Sequence, residues 1–100
     1  MVKHIVLFKM KPFASEAERI TKLTEIKVAL EALIHKVEVL RSIEAGINLN
    51  PAEEYDLALY TTFDTMEDVA IYAAHPDHVA VARTYIAPLK EARACVDYQL

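Results

Sequence analysis

Between Ile71 and Ala82 the chain reads IYAAHPDHVAVA, setting two histidines three positions apart around a proline, with a tyrosine one turn upstream. Residues of these types carry acid/base chemistry. A neutral imidazole takes a proton near pH 7, and a phenol beside it donates a hydrogen bond to a developing oxyanion. His78 is the candidate base and Tyr72 the candidate oxyanion partner. In an unbroken helix a separation of six residues points two side chains well apart. Pro76 forces His75 out of the α region, and that break allows the phenol and the imidazole to face one cavity.

Other roles compete for the same residues. A helix C-terminus gathers unsatisfied carbonyls and partial negative charge, which His75 is placed to cap. His78 falls in the first turn of the next helical piece, where the dipole disfavours a positive imidazole and favours the neutral form. Its plainer role is that of a histidine bonded to a backbone carbonyl, and Tyr72's is that of a core aromatic. A metal set from His75, Asp77, His78 and His4 is the weaker reading, because ligand pairs on a helix use uninterrupted spacing and no cysteine or second carboxylate joins them. Cys95 has no nucleophile signature around it, and a single glycine excludes a glycine-rich phosphate loop. No metal and no organic cofactor are expected.

The elements that must position these residues follow from periodicity. Residues 2–10 alternate as a strand, with His4, Val6, Phe8 and Met10 on one side and Ile5 and Leu7 on the other. Ser15 followed by Glu18 fits a capping box, and Ile20, Leu23, Ile26, Leu30, Leu33 and Val37 step along one helical face. Residues 39–49 return to β character, with Ile43, Ile47 and Leu49 on one parity; Gly46 there is expected to mark a bulge or a close backbone approach. Residues 55–63 form a third strand. A short helix capped by Asp64 then ends at His75-Pro76, and a second helical piece runs from Asp77 to Ala87. The tail from Ala92 is a fourth strand. This β-α-β-β-α-β order is that of a ferredoxin-like α+β fold, an antiparallel four-stranded sheet with both helices on one face. Residues 1–100 make one domain.

Composition sets further bounds. The chain is 54% hydrophobic with a net charge of −4 and no basic stripe, which argues against a nucleic-acid partner. No apolar run reaches the ~18 residues of a membrane span. One cysteine excludes an internal disulfide, and a cytoplasmic protein is the expectation. Two helices cover one sheet face only. Ile5, Leu7, Ala58 and Tyr60 would leave the other apolar, and a second copy of the sheet is the simplest cover.

Three stretches, VKHIVLFKMK, TFDTMEDVAIYAAHPDHVAVA and PLKEARACVDYQL, together resemble the stress-responsive A/B barrel family of dimeric α+β barrel proteins. The first-strand histidine, the His-Pro-x-His break and the closing Asp-Tyr carry the resemblance. It implies a homodimer whose sheets pack face to face, with a pocket in each subunit between sheet and helices. Val6, Phe8, Ile26, Leu30 and Leu59 are the expected pocket walls. Many members have no assigned reaction. One plant member is a polyketide cyclase working without metal or cofactor, and its acid/base pair matches Tyr72 and His78, with His4 and His75 also shared as supporting residues. Its first helix supplies aromatic pocket residues where this chain has Ile26 and Leu30, so a different ligand shape follows. The expected function is that of a dimeric stress-responsive-type protein with a small apolar pocket, a stability or ligand-binding module without a firm activity whose candidate ligand is a small apolar carbonyl compound, or, alternatively, a cofactor-free acid/base enzyme of aldol or enolate chemistry using His78 and Tyr72.

Overall fold

The computed structural model describes all of residues 1–100. β1 (Val2–Met10), α1 (Glu16–Glu31), β2 (Ser42–Ile47), β3 (Leu57–Phe63), α2 (Met66–Ala74), α3 (Pro76–Val81) and β4 (Lys90–Gln99) follow in chain order. A 3-10 turn, Ala32–His35, extends α1, and a wide π-turn, Ala82–Ile86, extends α3. The strands form one antiparallel sheet in the order β2-β3-β1-β4. This is the ferredoxin-like arrangement expected of the element order.

β1 is central, and strict alternation sorts its side chains. Val2, His4, Val6, Phe8 and Met10 are buried toward the helices, while Lys3, Ile5, Leu7 and Lys9 stay half-exposed on the opposite face. β3 adds Leu57, Leu59, Thr61 and Phe63 to the buried side. α1 lays Leu23, Ile26 and Leu30 across them. Each such side chain contributes about 1.5–3 kcal/mol when fully withdrawn from water. Ser15 caps α1 by accepting from the Glu18 amide at 3.1 Å, which is one half of the expected capping box. The free edge of β2 is closed by α1: Glu31 accepts from the Ala45 N–H at 3.1 Å, and Lys27 donates to the Ala45 carbonyl at 2.6 Å.

Several local expectations are corrected. α1 stops at Glu31, and Leu33 and Val37 reach the core from the 3-10 turn and the segment after it. Ile20 is largely exposed. β2 is shorter than residues 39–49, and Leu49 lies beyond it, open to solvent in the loop whose Asn48 and Asn50 side chains bond to local amides. Gly46 sits in regular register opposite Ala58, with open space where a Cβ would project, so neither a bulge nor a close approach within the chain explains it. Thr65, not Asp64, caps α2, accepting from the Asp68 amide at 3.2 Å; Asp64 is instead held by Arg41 at 2.8 Å. β4 begins two residues earlier than expected, at Lys90.

The helix-free face of the sheet carries Ile5, Leu7, Ala58, Tyr60, Ala92, Ala94, Val96 and Tyr98, with Lys3 spanning the Tyr60 ring. Val96 is 54% exposed, an apolar side chain left in water on that face. No helix is long and apolar enough to cross a membrane.

Candidate functional site

The α2–α3 break builds the site. His75 adopts φ −62°, ψ 134°, the extended backbone imposed by the following proline, and Pro76 occupies the first turn of α3, where its missing N–H costs nothing. The His75 side chain does not cap the carbonyls at the end of α2. Its Nδ1 accepts from the Asp77 N–H at 3.1 Å and so caps the start of α3. The backbone has already turned at this residue, which places the ring beside the amides that follow it.

The turn brings Tyr72 and His78 together. Their ring centroids are 4.4 Å apart with the planes tilted by 49°. His78 Nδ1 lies 3.0 Å from the Ala73 carbonyl, which accepts only, so Nδ1 carries the proton. In the neutral ring the lone pair is therefore on Nε2. Burial pulls the His78 pKa below the ordinary imidazole value, against the opposing pull of the Ala73 carbonyl; His4, Arg93 and His75 add smaller downward effects. Desolvation is thus the largest contribution toward the neutral imidazole.

Tyr72 is 1% exposed, and its hydroxyl is buried without a hydrogen-bond partner. Burial raises its pKa, so the phenol keeps its proton. Leaving such a group unpaired costs about 1–3 kcal/mol.

Both rings line a cavity of about 420 Å³ between the sheet and the helices. Its walls include His4, Val6, Phe8, Leu30 and Leu59 from the expected set. Ile26 is not among them; it is packed in the core at 1% exposure. His75 also stays outside, with its ring committed to the cap. Val79, Ala82 and Ile86 from α3 and the π-turn complete the apolar wall, and Arg83, Lys90 and Arg93 add cations.

His4 is held by the neighbouring strand, on the same face of the sheet. Its Nδ1 pairs with the Asp97 carboxylate, its opposite neighbour on β4, and Cys95 Sγ lies 3.5 Å from the same nitrogen. His4, Cys95 and Asp97 are the one group of metal-binding side chains within reach of a common centre, their ligand atoms within 4.8 Å of one another. The pair and the thiol contact already satisfy them. The set weighed from the sequence, His75, Asp77, His78 and His4, is not gathered around one point. Asp97 entered the sequence reading only through the closing Asp-Tyr, and neither it nor Arg93 was assigned to the site, because their facing is legible only once β4 is registered on β1, His4 opposite Asp97 and Phe8 opposite Arg93.

The model of the stress-responsive A/B barrel domain matches residues 2–100. The chain belongs to that family. Among relatives, a stress-response A/B barrel domain-containing protein of Arabidopsis thaliana is 33% identical over 98% of this chain, which spans 36% of that protein's length. A dimeric protein of unknown function and ferredoxin-like fold from Bacteroides fragilis is 47% identical, with a TM-score of 0.91 over 99% of this chain and 95% of its own. A dimeric ferredoxin-like protein of unknown function from Thermobifida fusca is 27% identical, with a TM-score of 0.82 over 99% and 90%.

Proposed function

We propose that this A/B barrel protein works as a homodimer, each subunit holding a small, mostly apolar carbonyl compound between its sheet and helices. The observation that carries the reading is Tyr72, a residue of the cavity wall whose hydroxyl is buried, protonated and without a partner. A ligand oxygen there removes the cost of an unpaired polar group, while Val6, Phe8, Leu30 and Leu59 enclose the apolar remainder. The cavity takes on the order of a dozen non-hydrogen atoms, at about 30 Å³ for each water-sized centre. Dimerisation is supported by the apolar helix-free face and by the dimeric neighbours of 47% and 27% identity. A free thiol at Cys95 suits the reducing cytoplasm.

Binding of 2-octanone, followed by calorimetry, tests the reading. Micromolar to low-millimolar affinity that weakens several-fold in Tyr72→Phe is expected; no saturable binding contradicts it.

A second reading is favoured by the tautomer of His78. With Nδ1–H donated to Ala73, Nε2 is the available base, and the neutral ring stands against the Tyr72 phenol. Nε2 takes a proton from the carbon next to the carbonyl. The electron pair of that C–H bond forms a carbon–carbon double bond while the carbonyl π pair moves onto oxygen, and the Tyr72 O–H stabilises the enolate by donating to it. Return of the proton to carbon closes the cycle without a cofactor. Exchange of the α-hydrogens of 2-octanone in heavy water, above the buffer rate and lost in His78→Gln, is the expected result. Exchange equal in both proteins leaves only the binding reading.

A further inference from the structure

The charges around the cavity run against those of the chain. The protein has 15 acidic and 11 basic residues, yet no carboxylate lines the cavity, whereas Arg83, Lys90 and Arg93 do. All three cations are exposed, which places them at the mouth, and none forms an ion pair or a side-chain hydrogen bond within the chain. Of the eight cations elsewhere, Lys9, Arg19, Lys22, Lys27 and Arg41 have carboxylate partners, while Lys3, Lys11 and Lys36 do not.

An irregularity in β4 helps to set this pattern. Arg93 lies opposite Phe8 on the helix side, and strict alternation from it would aim Glu91 at the cavity. The register shifts between Lys9 and Met10, so that Lys90 falls opposite the buried Met10. Lys90 lines the cavity, and Glu91 pairs with Lys9 at 3.4 Å on the helix-free side. A bulge re-aims side chains in this way, and here it exchanges a carboxylate for an ammonium at the mouth.

We infer that the ligand is an organic acid anion, its apolar body in the cavity and its carboxylate held at the mouth by Arg83, Lys90 and Arg93. This rests on the ligand-binding reading above and narrows it. The unpartnered Tyr72 hydroxyl marks the inner polar contact and the three cations the outer one. Guanidinium groups match a carboxylate with paired N–H donors, and charge-assisted hydrogen bonds are about twice as strong as neutral ones.

The test compares 7-oxooctanoate with 2-octanone, two methyl ketones of equal carbon number that differ in the charged far end, by calorimetry on the 100-residue chain. The keto acid should bind about tenfold more tightly in low salt, with the advantage shrinking in about 0.5 M salt. The triple variant Arg83→Gln, Lys90→Gln, Arg93→Gln should bring the affinity ratio of the two probes close to one, its fold checked by circular dichroism. Equal affinities in the unaltered protein, or a ratio unmoved by the triple variant, overturn the anion inference while the cavity reading stands on the ketone. Failure of both probes to bind overturns both.

Discussion

The imidazole of His78 rests against the phenol of Tyr72 with ring centroids 4.4 Å apart, although Tyr72 lies in the last turn of one helix and His78 in the first turn of the next. The extended backbone of His75 makes this contact. Straightening the segment should therefore alter the site more than the fold. Pro76→Ala restores an amide and frees His75 toward the α region, at a cost of roughly 1 kcal/mol. Loss of the close Tyr72–His78 contacts in the nuclear Overhauser spectrum, with the sheet signals unchanged, is the expected outcome. An unchanged contact would mean that packing alone holds the bend.

Tyr72→Phe removes a buried hydroxyl that has no partner, so stability should hold or rise by up to about 1–2 kcal/mol in urea unfolding. Ligand affinity should fall in the same variant. Substantial destabilisation would show that the hydroxyl has a partner in solution.

Stability should fall as the pH drops below about 6.5, the ordinary imidazole value. The folded-state pKa of His78 is depressed, so the unfolded chain binds its proton first, and the stabilising effect is complete above the unfolded pKa and lost as pH falls through the folded one. His78→Gln can still donate to the Ala73 carbonyl and should flatten this slope in denaturation curves taken between about pH 7 and 5. Equal slopes in the two proteins count against a depressed His78.

Leu7→Glu should dissociate the dimer. Leu7 sits at the centre of the helix-free face, and interfaces of this kind bury on the order of 2,000 Å² or more. Sedimentation should give a single species near the 11.3 kDa of one chain for the variant and twice that for the parent. A monomeric parent would end the dimer proposal.

Much of the fold was legible in the alternation of β1 and the stepping of Leu23, Ile26 and Leu30, because period-two and period-3.6 patterns report directly on a buried face. The proline break was legible too, since backbone sterics act locally. What lay beyond the sequence was set by partners distant along the chain. Asp97 faces His4 and Arg93 faces Phe8 through strand register, and the shift that aims Lys90 inward has no local mark. The His75 ring chose the amide ahead of it over the carbonyls behind it, a choice fixed by the direction of the turned backbone. Ile26 kept its predicted helical face and still missed the cavity, because core and cavity divide that face between them.

The most direct test of a ligand site at Tyr72 and His78 is the nitrogen spectrum of the His78 ring, recorded near pH 7.5 with and without 2-octanone. The structure predicts a neutral ring protonated on Nδ1, with an Nε2 resonance that shifts on adding the ketone in the unaltered protein and shifts less in Tyr72→Phe. A ring protonated on Nε2, or one whose signals stay fixed at saturating ketone, would contradict it.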